Sequence, residues 1–195
     1  MKKINEFINE YVEKASLKRA LLATMIFGVL FYIINYSPIG VSGLLKLTDG
    51  ANILDFEDNG YSLDKAYTML KQLGENGRHF YLTMILPTDI LFPIGVMLFG
   101  SSWMSLFLKK LTPHGSLLRW LPCITIINMF CDWGENIGFT LMLINYPVKL
   151  KAVCAVSSFI TRFKFICVET ILISLVILFI CIILKVIVNK IHRVK

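Results

Sequence analysis

The sequence predicts an all-α fold: a polytopic integral membrane protein, a four-transmembrane-helix bundle with a short external helix between the first two spans. Three observations carry this. Hydrophobic residues make up 56% of the 195, and charged residues only 17%, against roughly 25% charged in soluble domains. The charges cluster between apolar runs that approach or exceed the ~20 residues a membrane helix needs. The basic residues collect in alternate connecting segments, the asymmetry that sets membrane topology. The chain reads as one membrane domain without a soluble module, linker or internal repeat.

Residues 1–19 carry Lys2, Lys3, Lys14, Lys18 and Arg19. Ile4, Phe7, Ile8, Tyr11 and Ala15 recur at helical spacing, which predicts an amphipathic helix on the cytoplasmic leaflet. The first span is 20–36, uninterrupted and without acid or base. Pro38 and Gly40 end it.

Residues 37–79 form an external excursion. Asp49-Gly50 and Asn59-Gly60 mark turns. Ser62 is placed to cap a short helix over 63–73, whose Leu63, Ala66, Tyr67, Leu70 and Leu73 form one apolar stripe ending at Gly74. That stripe would cover the membrane surface or the mouth of the bundle.

The second span is 80–108, with Pro87 and Pro93 interrupting its hydrogen-bond ladder and Asp89 between them. Lys109 and Lys110 follow in a short basic link. The third span is 117–145, with Arg119 at its inner end. The fourth is 150–188, long enough to require tilt, and the tail 189–195 is basic. The three inner segments hold twelve basic residues and three acidic ones, which places both termini in the cytoplasm. A bacterial plasma membrane is the expected location.

The net charge of +7 follows from this topology. No arginine-rich run or basic-aromatic groove points to nucleic acid. The five cysteines form no CxxC and no zinc spacing. No metal site is read from the sequence and no cofactor is named by it.

Within the third span, Asp132, Glu135 and Asn136 stand at i, i+3 and i+4 and share one helix face. Carboxylates in hydrocarbon cost at least ~2.5–3.5 kcal/mol each, so they imply partners, water or a role. Asp89 on the second span, and Lys164, Arg162 and Glu169 on the fourth, fall at comparable depth. Arg78, His79 and Tyr81 belong above them, at the outer mouth.

Three functions compete. The first is binding, extended to translocation, of a small ligand, a cation or proton, or a lipid headgroup in an outward-facing acidic pocket. The second is an accessory membrane subunit whose buried ion pairs only fix helix register. The third is a metal-dependent intramembrane hydrolase, for which His79 and the carboxylates would supply ligands. HExxH and GxSxG motifs are absent, which weighs against enzymatic activity. Expected partners are membrane lipids, further copies of the chain or a larger membrane complex. Gly134 and Gly138 form a GxxxG that predicts either a close helix contact or nothing beyond chance.

Overall fold

The computed structural model describes residues 2–51 and 53–194, and helix is the only regular secondary structure among them. Lys195 and the side chain of Arg193, both counted in the basic tail, lie outside what is described. Three segments are long and apolar enough to cross a membrane: Leu17–Leu47, Gly74–Leu111 and Lys151–His192. The third predicted span, 117–145, corresponds to a helix whose middle, with Asp132, Glu135 and Asn136, is too polar to join them.

Helix α1 (Lys2–Glu13) turns Ile8, Asn9 and Val12 into the protein and leaves Ile4, Phe7 and Tyr11 exposed. Its predicted apolar stripe is therefore divided, because α1 packs on the later helix Phe92–Leu111 as well as presenting an apolar edge outward. Arg119 fastens it. This fully buried guanidinium donates to Glu13 Oε1 at 2.7 Å and to the Thr112 carbonyl at 2.9 Å. The same contact holds the Glu13 carboxyl below its ordinary range, first by the hydrogen bond and then by the guanidinium charge.

Helix α2 (Leu17–Tyr36) begins three residues earlier than the sequence predicts. Ser16 caps it, its hydroxyl accepting from the Arg19 amide. Helix α3 (Val41–Leu47) follows after the break at Pro38. A single 3-10 turn, Leu54–Phe56, precedes α4 (Leu63–Gln72). The Ser62 hydroxyl accepts from the Lys65 amide, as its position before the apolar stripe predicts. Ala66, Tyr67 and Leu70 of that stripe sit in a core with Ile85, Phe139, Met142 and Leu143. The excursion thus folds over one end of the helical body.

Past α4 the chain runs through α5 (Gly74–Phe80), a π turn (Tyr81–Ile85) and α6 (Leu86–Asp89) into α7 (Phe92–Leu111). The interruptions follow from the prolines. Pro87 and Pro93 lack the N–H groups that would bond the carbonyls of Thr83 and Asp89. The helix widens before the first and breaks at Ile90–Leu91 before the second. Trp133 Nε1 donates to the Ile90 carbonyl at that break, at 3.0 Å.

Helix α8 (Cys123–Ile144) starts six residues later than the predicted span, since Leu117–Trp120 is a 3-10 turn and Pro122 precedes the first helical residue. Helix α9 (Lys151–Val194) has 44 residues and a length of about 66 Å. Helices α8 and α9 form the most extensive pairing, with α7 against both and α2 along α7.

Candidate functional site

The face of α8 that carries Asp132, Glu135 and Asn136 is turned inward, and Asn128, one turn earlier, extends it. These four side chains are 7%, 0%, 7% and 1% exposed, in that order. Such burial requires partners, and α9 supplies most of them. Glu135 accepts from Thr161 Oγ1 at 2.6 Å and pairs with the Lys164 ammonium. The same ammonium lies 4.0 Å from Asp132 Oδ2. Gly138, one turn on, lets the helices approach closely enough for these contacts. A Cβ there would stand 2.5 Å from Ser157 Oγ. Ser157 in turn receives a hydrogen bond from Tyr61 of the excursion, at 2.9 Å.

On the opposite side, the helix break at Pro93 delivers Asp89. Its Oδ2 accepts from Asn136 Nδ2 at 3.0 Å. Tyr81, on the π turn, donates its hydroxyl to Asp55, which the 3-10 turn of the excursion brings in. Asp55 lies outside the long apolar helices. Its burial raises its carboxyl above the usual carboxylate range, against the opposing pull of Lys164 and of the Tyr81 hydrogen bond.

Between these groups is a partly open cleft of about 260 Å³. Asp55, Asp89, Asn128, Asp132 and Lys164 line its polar side. Its other walls are mainly apolar, with Phe31 and Ile34 from α2, Phe92 and Val96 from α7, and Phe165 and Val168 from α9; Asn35 of α2 adds one amide. Among the described residues, Asp55 Oδ1, Asn128 Oδ1 and Asp132 Oδ1 of the lining are buried with no hydrogen-bond partner, as are Glu135 Oε2, Asn136 Oδ1 and Ser105 Oγ on residues outside the lining. The three on lining residues are acceptors. Chemically, the cleft offers oxygen lone pairs and negative charge beside an apolar wall. No group of three His, Cys, Asp or Glu side chains is arranged to hold a metal ion among the described residues.

Of the residues singled out in the sequence, Asp89, Asp132, Glu135, Asn136 and Lys164 come together. Arg162 and Glu169 do not join them: both are exposed. They lie two and five residues from Lys164, about 200° and 140° around the helix from it, so they cannot share its face. Arg162 instead lies along Gly60. Tyr81 is buried within the cluster and not above it. Arg78 stacks over the Tyr146 ring, 4.1 Å from its centroid, and donates to the Leu70 carbonyl. His79 is exposed.

Asp55, Asn128 and Thr161 are additions that only the structure makes. Two of them had a signal: Asn128 stands four residues before Asp132, and Thr161 three before Lys164, each on the same helix face. Asp55 had none, being one acidic residue among several in a segment without periodicity. In comparison with known proteins, the chain matches no family model, no curated protein and no solved structure.

Proposed function

We propose that the chain is a four-span membrane protein with both termini cytoplasmic, and that its outward-facing cleft binds a small ligand rich in hydrogen-bond donors. Support for the third span comes from α8 itself. Its inner face is polar, but Ile126, Ile127, Phe130, Ile137, Leu141 and Ile144 point outward and are exposed. Together with the exposed apolar faces of α2 and α9, they form a surface far larger than a water-soluble monomer presents. Lipid is the solvent that such a surface suits.

The observation that carries the ligand reading is that Asp55, Asn128 and Asp132, which line one cleft, each keep a buried acceptor oxygen without a hydrogen-bond partner among the described residues. An unsatisfied buried polar group costs about 1–3 kcal/mol. Three on the residues around one space are costly unless a donor reaches them. The cluster divides accordingly. Glu135 pairs with Lys164 and accepts from Thr161, which holds α8 to α9, whereas Asp55, Asn128 and Asp132, lining the cleft, each keep an oxygen without a hydrogen-bond partner. The accessory-subunit reading draws on the first group alone.

The test is native mass spectrometry of gently extracted protein, comparing wild type with Asp132→Asn and Asp55→Asn. The expected result is a stoichiometric adduct on wild type that both variants lose while keeping the wild-type unfolding temperature. Bare wild type, with the variants only less stable, would leave the cluster a purely structural one.

A further inference from the structure

The chemistry of the cleft narrows its occupant, on the premise that it is a ligand site. Consider charge first. Asp55, Asp89 and Asp132 line it against one cation, Lys164, whose ammonium is already engaged by Glu135. Arg78 and Arg162 are directed elsewhere. A phosphate or carboxylate entering the cleft would therefore meet carboxylates and no available cation among its lining residues. A hydroxyl would satisfy acceptors but leave the charge unbalanced. An ammonium group does both, with three donors and a positive charge.

Shape supplies the second constraint. Besides the polar groups, the walls include Phe31 and Ile34 of α2, with Asn35 next to them, and Phe165 and Val168 of α9. Helix α2 packs along α7, and α9 along α7 and α8, and both α2 and α9 contribute apolar wall residues to the partly open cleft. Pockets for drug-sized molecules measure about 300–1,000 Å³. A space of about 260 Å³ suits a headgroup and the first part of one chain, the remainder lying along exposed helix faces.

We propose that the cleft takes an amphiphile with a primary ammonium headgroup, seated among Asp132, Asn128 and Asp55, whose apolar chain passes between α2 and α9. Lateral access of this kind lets a lipid-like molecule enter from the bilayer without crossing the cap formed by the excursion.

The experiment uses the full chain in phosphatidylcholine nanodiscs with three photoactivatable probes. They share one alkyl chain bearing a mid-chain diazirine and differ only in the headgroup: primary amine, alcohol or carboxylate. Adducts are mapped by peptide sequencing. The amine should label Phe31, Phe92, Phe165 or Val168 about tenfold more than the other probes, a preference of ~1.4 kcal/mol. Asp132→Asn should reduce that labelling to the alcohol's level. Asp55→Asn, across the cleft, should do the same if the first variant folds poorly, and the three-probe comparison on wild type needs no variant.

Equal labelling of the cleft by all three probes would overturn the ammonium headgroup while leaving a ligand site. Amine adducts confined to outward residues such as Leu172, Ile173 and Val176, and unaffected by Asp132→Asn, would overturn the path of the chain. A native-mass adduct persisting beside that result would show that the cleft still binds something else. Absence of both would remove the ligand site as well.

Discussion

Replacing Lys164 by methionine tests the cluster most directly. The lysine pairs with Glu135, which is fully enclosed, and stands 4.0 Å from Asp132 Oδ2. Without the ammonium, the only side-chain donor left on Glu135 among the described residues is Thr161. Breaking a buried ion pair by removing one partner costs about 3–5 kcal/mol, because the other charge stays behind uncompensated. For a chain of this size each kcal/mol shifts the unfolding temperature by about 2–4 °C, so Lys164→Met should lower it by about 6–20 °C. The companion change Glu135→Gln keeps an oxygen for Thr161 and removes the stranded charge. The double variant Lys164→Met/Glu135→Gln should therefore recover most of the loss, leaving a shortfall because Asp132 has lost its nearest cation. Thermal unfolding in a single detergent, read by tryptophan fluorescence, gives all four corners of the cycle. A coupling of about 2–3 kcal/mol is expected. If the two single losses simply add in the double variant, the pair does not hold α8 to α9 and the division of the cluster fails.

Two further expectations concern helix contacts. Gly138→Ala would place a Cβ 2.5 Å from Ser157 Oγ and 2.6 Å from its Cβ, so the helices must part, at about 1–3 kcal/mol. Gly134→Ala meets nothing closer than Ile160 Cδ1 at 3.4 Å and gains helix propensity, so it should be neutral or stabilising by up to about 1 kcal/mol. Equal responses of the two in a thermal scan would refute the assignment of the close contact to Gly138 alone. Acid should release α1. Arg119 lowers the Glu13 pKa from its ordinary value near 4.5, so the contact stabilises docking fully above that value and is lost as pH falls through the lowered one. Trp120, whose Nε1 donates to Asn5 Oδ1 at 3.2 Å, reports the undocking. Its emission, isolated by subtracting a Trp120→Phe variant, should shift to the red at that step, and Glu13→Gln should abolish the step. Identical titrations with and without the Glu13 carboxyl would show another group to be responsible.

The inward face of α8 was legible because it depends on one helix alone: residues at i, i+3 and i+4 point together whatever surrounds them. The same holds for Ser62 and the stripe of α4, where cap and periodicity are both local. Helix phase also bears on α9, but a sequence does not say which of Arg162, Lys164 and Glu169 faces the bundle. Contact with Glu135 selects Lys164, and the 100° step per residue then turns the other two away. The boundaries moved where proline chemistry or a 3-10 turn intervened, at Leu117–Trp120 and around Pro87 and Pro93.

By itself the sequence determined an all-helical chain with long apolar segments, the capped short helix of the excursion, and the facing set Asp132, Glu135 and Asn136. These follow from spacing, capping and hydropathy, which act over a few residues. Only the tertiary structure decided that Asp55, 77 positions before Asp132 in the chain, shares a cleft with it. It alone buried Tyr81, docked α1 through Arg119, and paired Lys164 with Glu135 more closely than with Asp132. Those outcomes depend on how separate helices are rotated and set against one another. That arrangement is set by packing and hydrogen bonding over the whole molecule at once, and no local pattern encodes it.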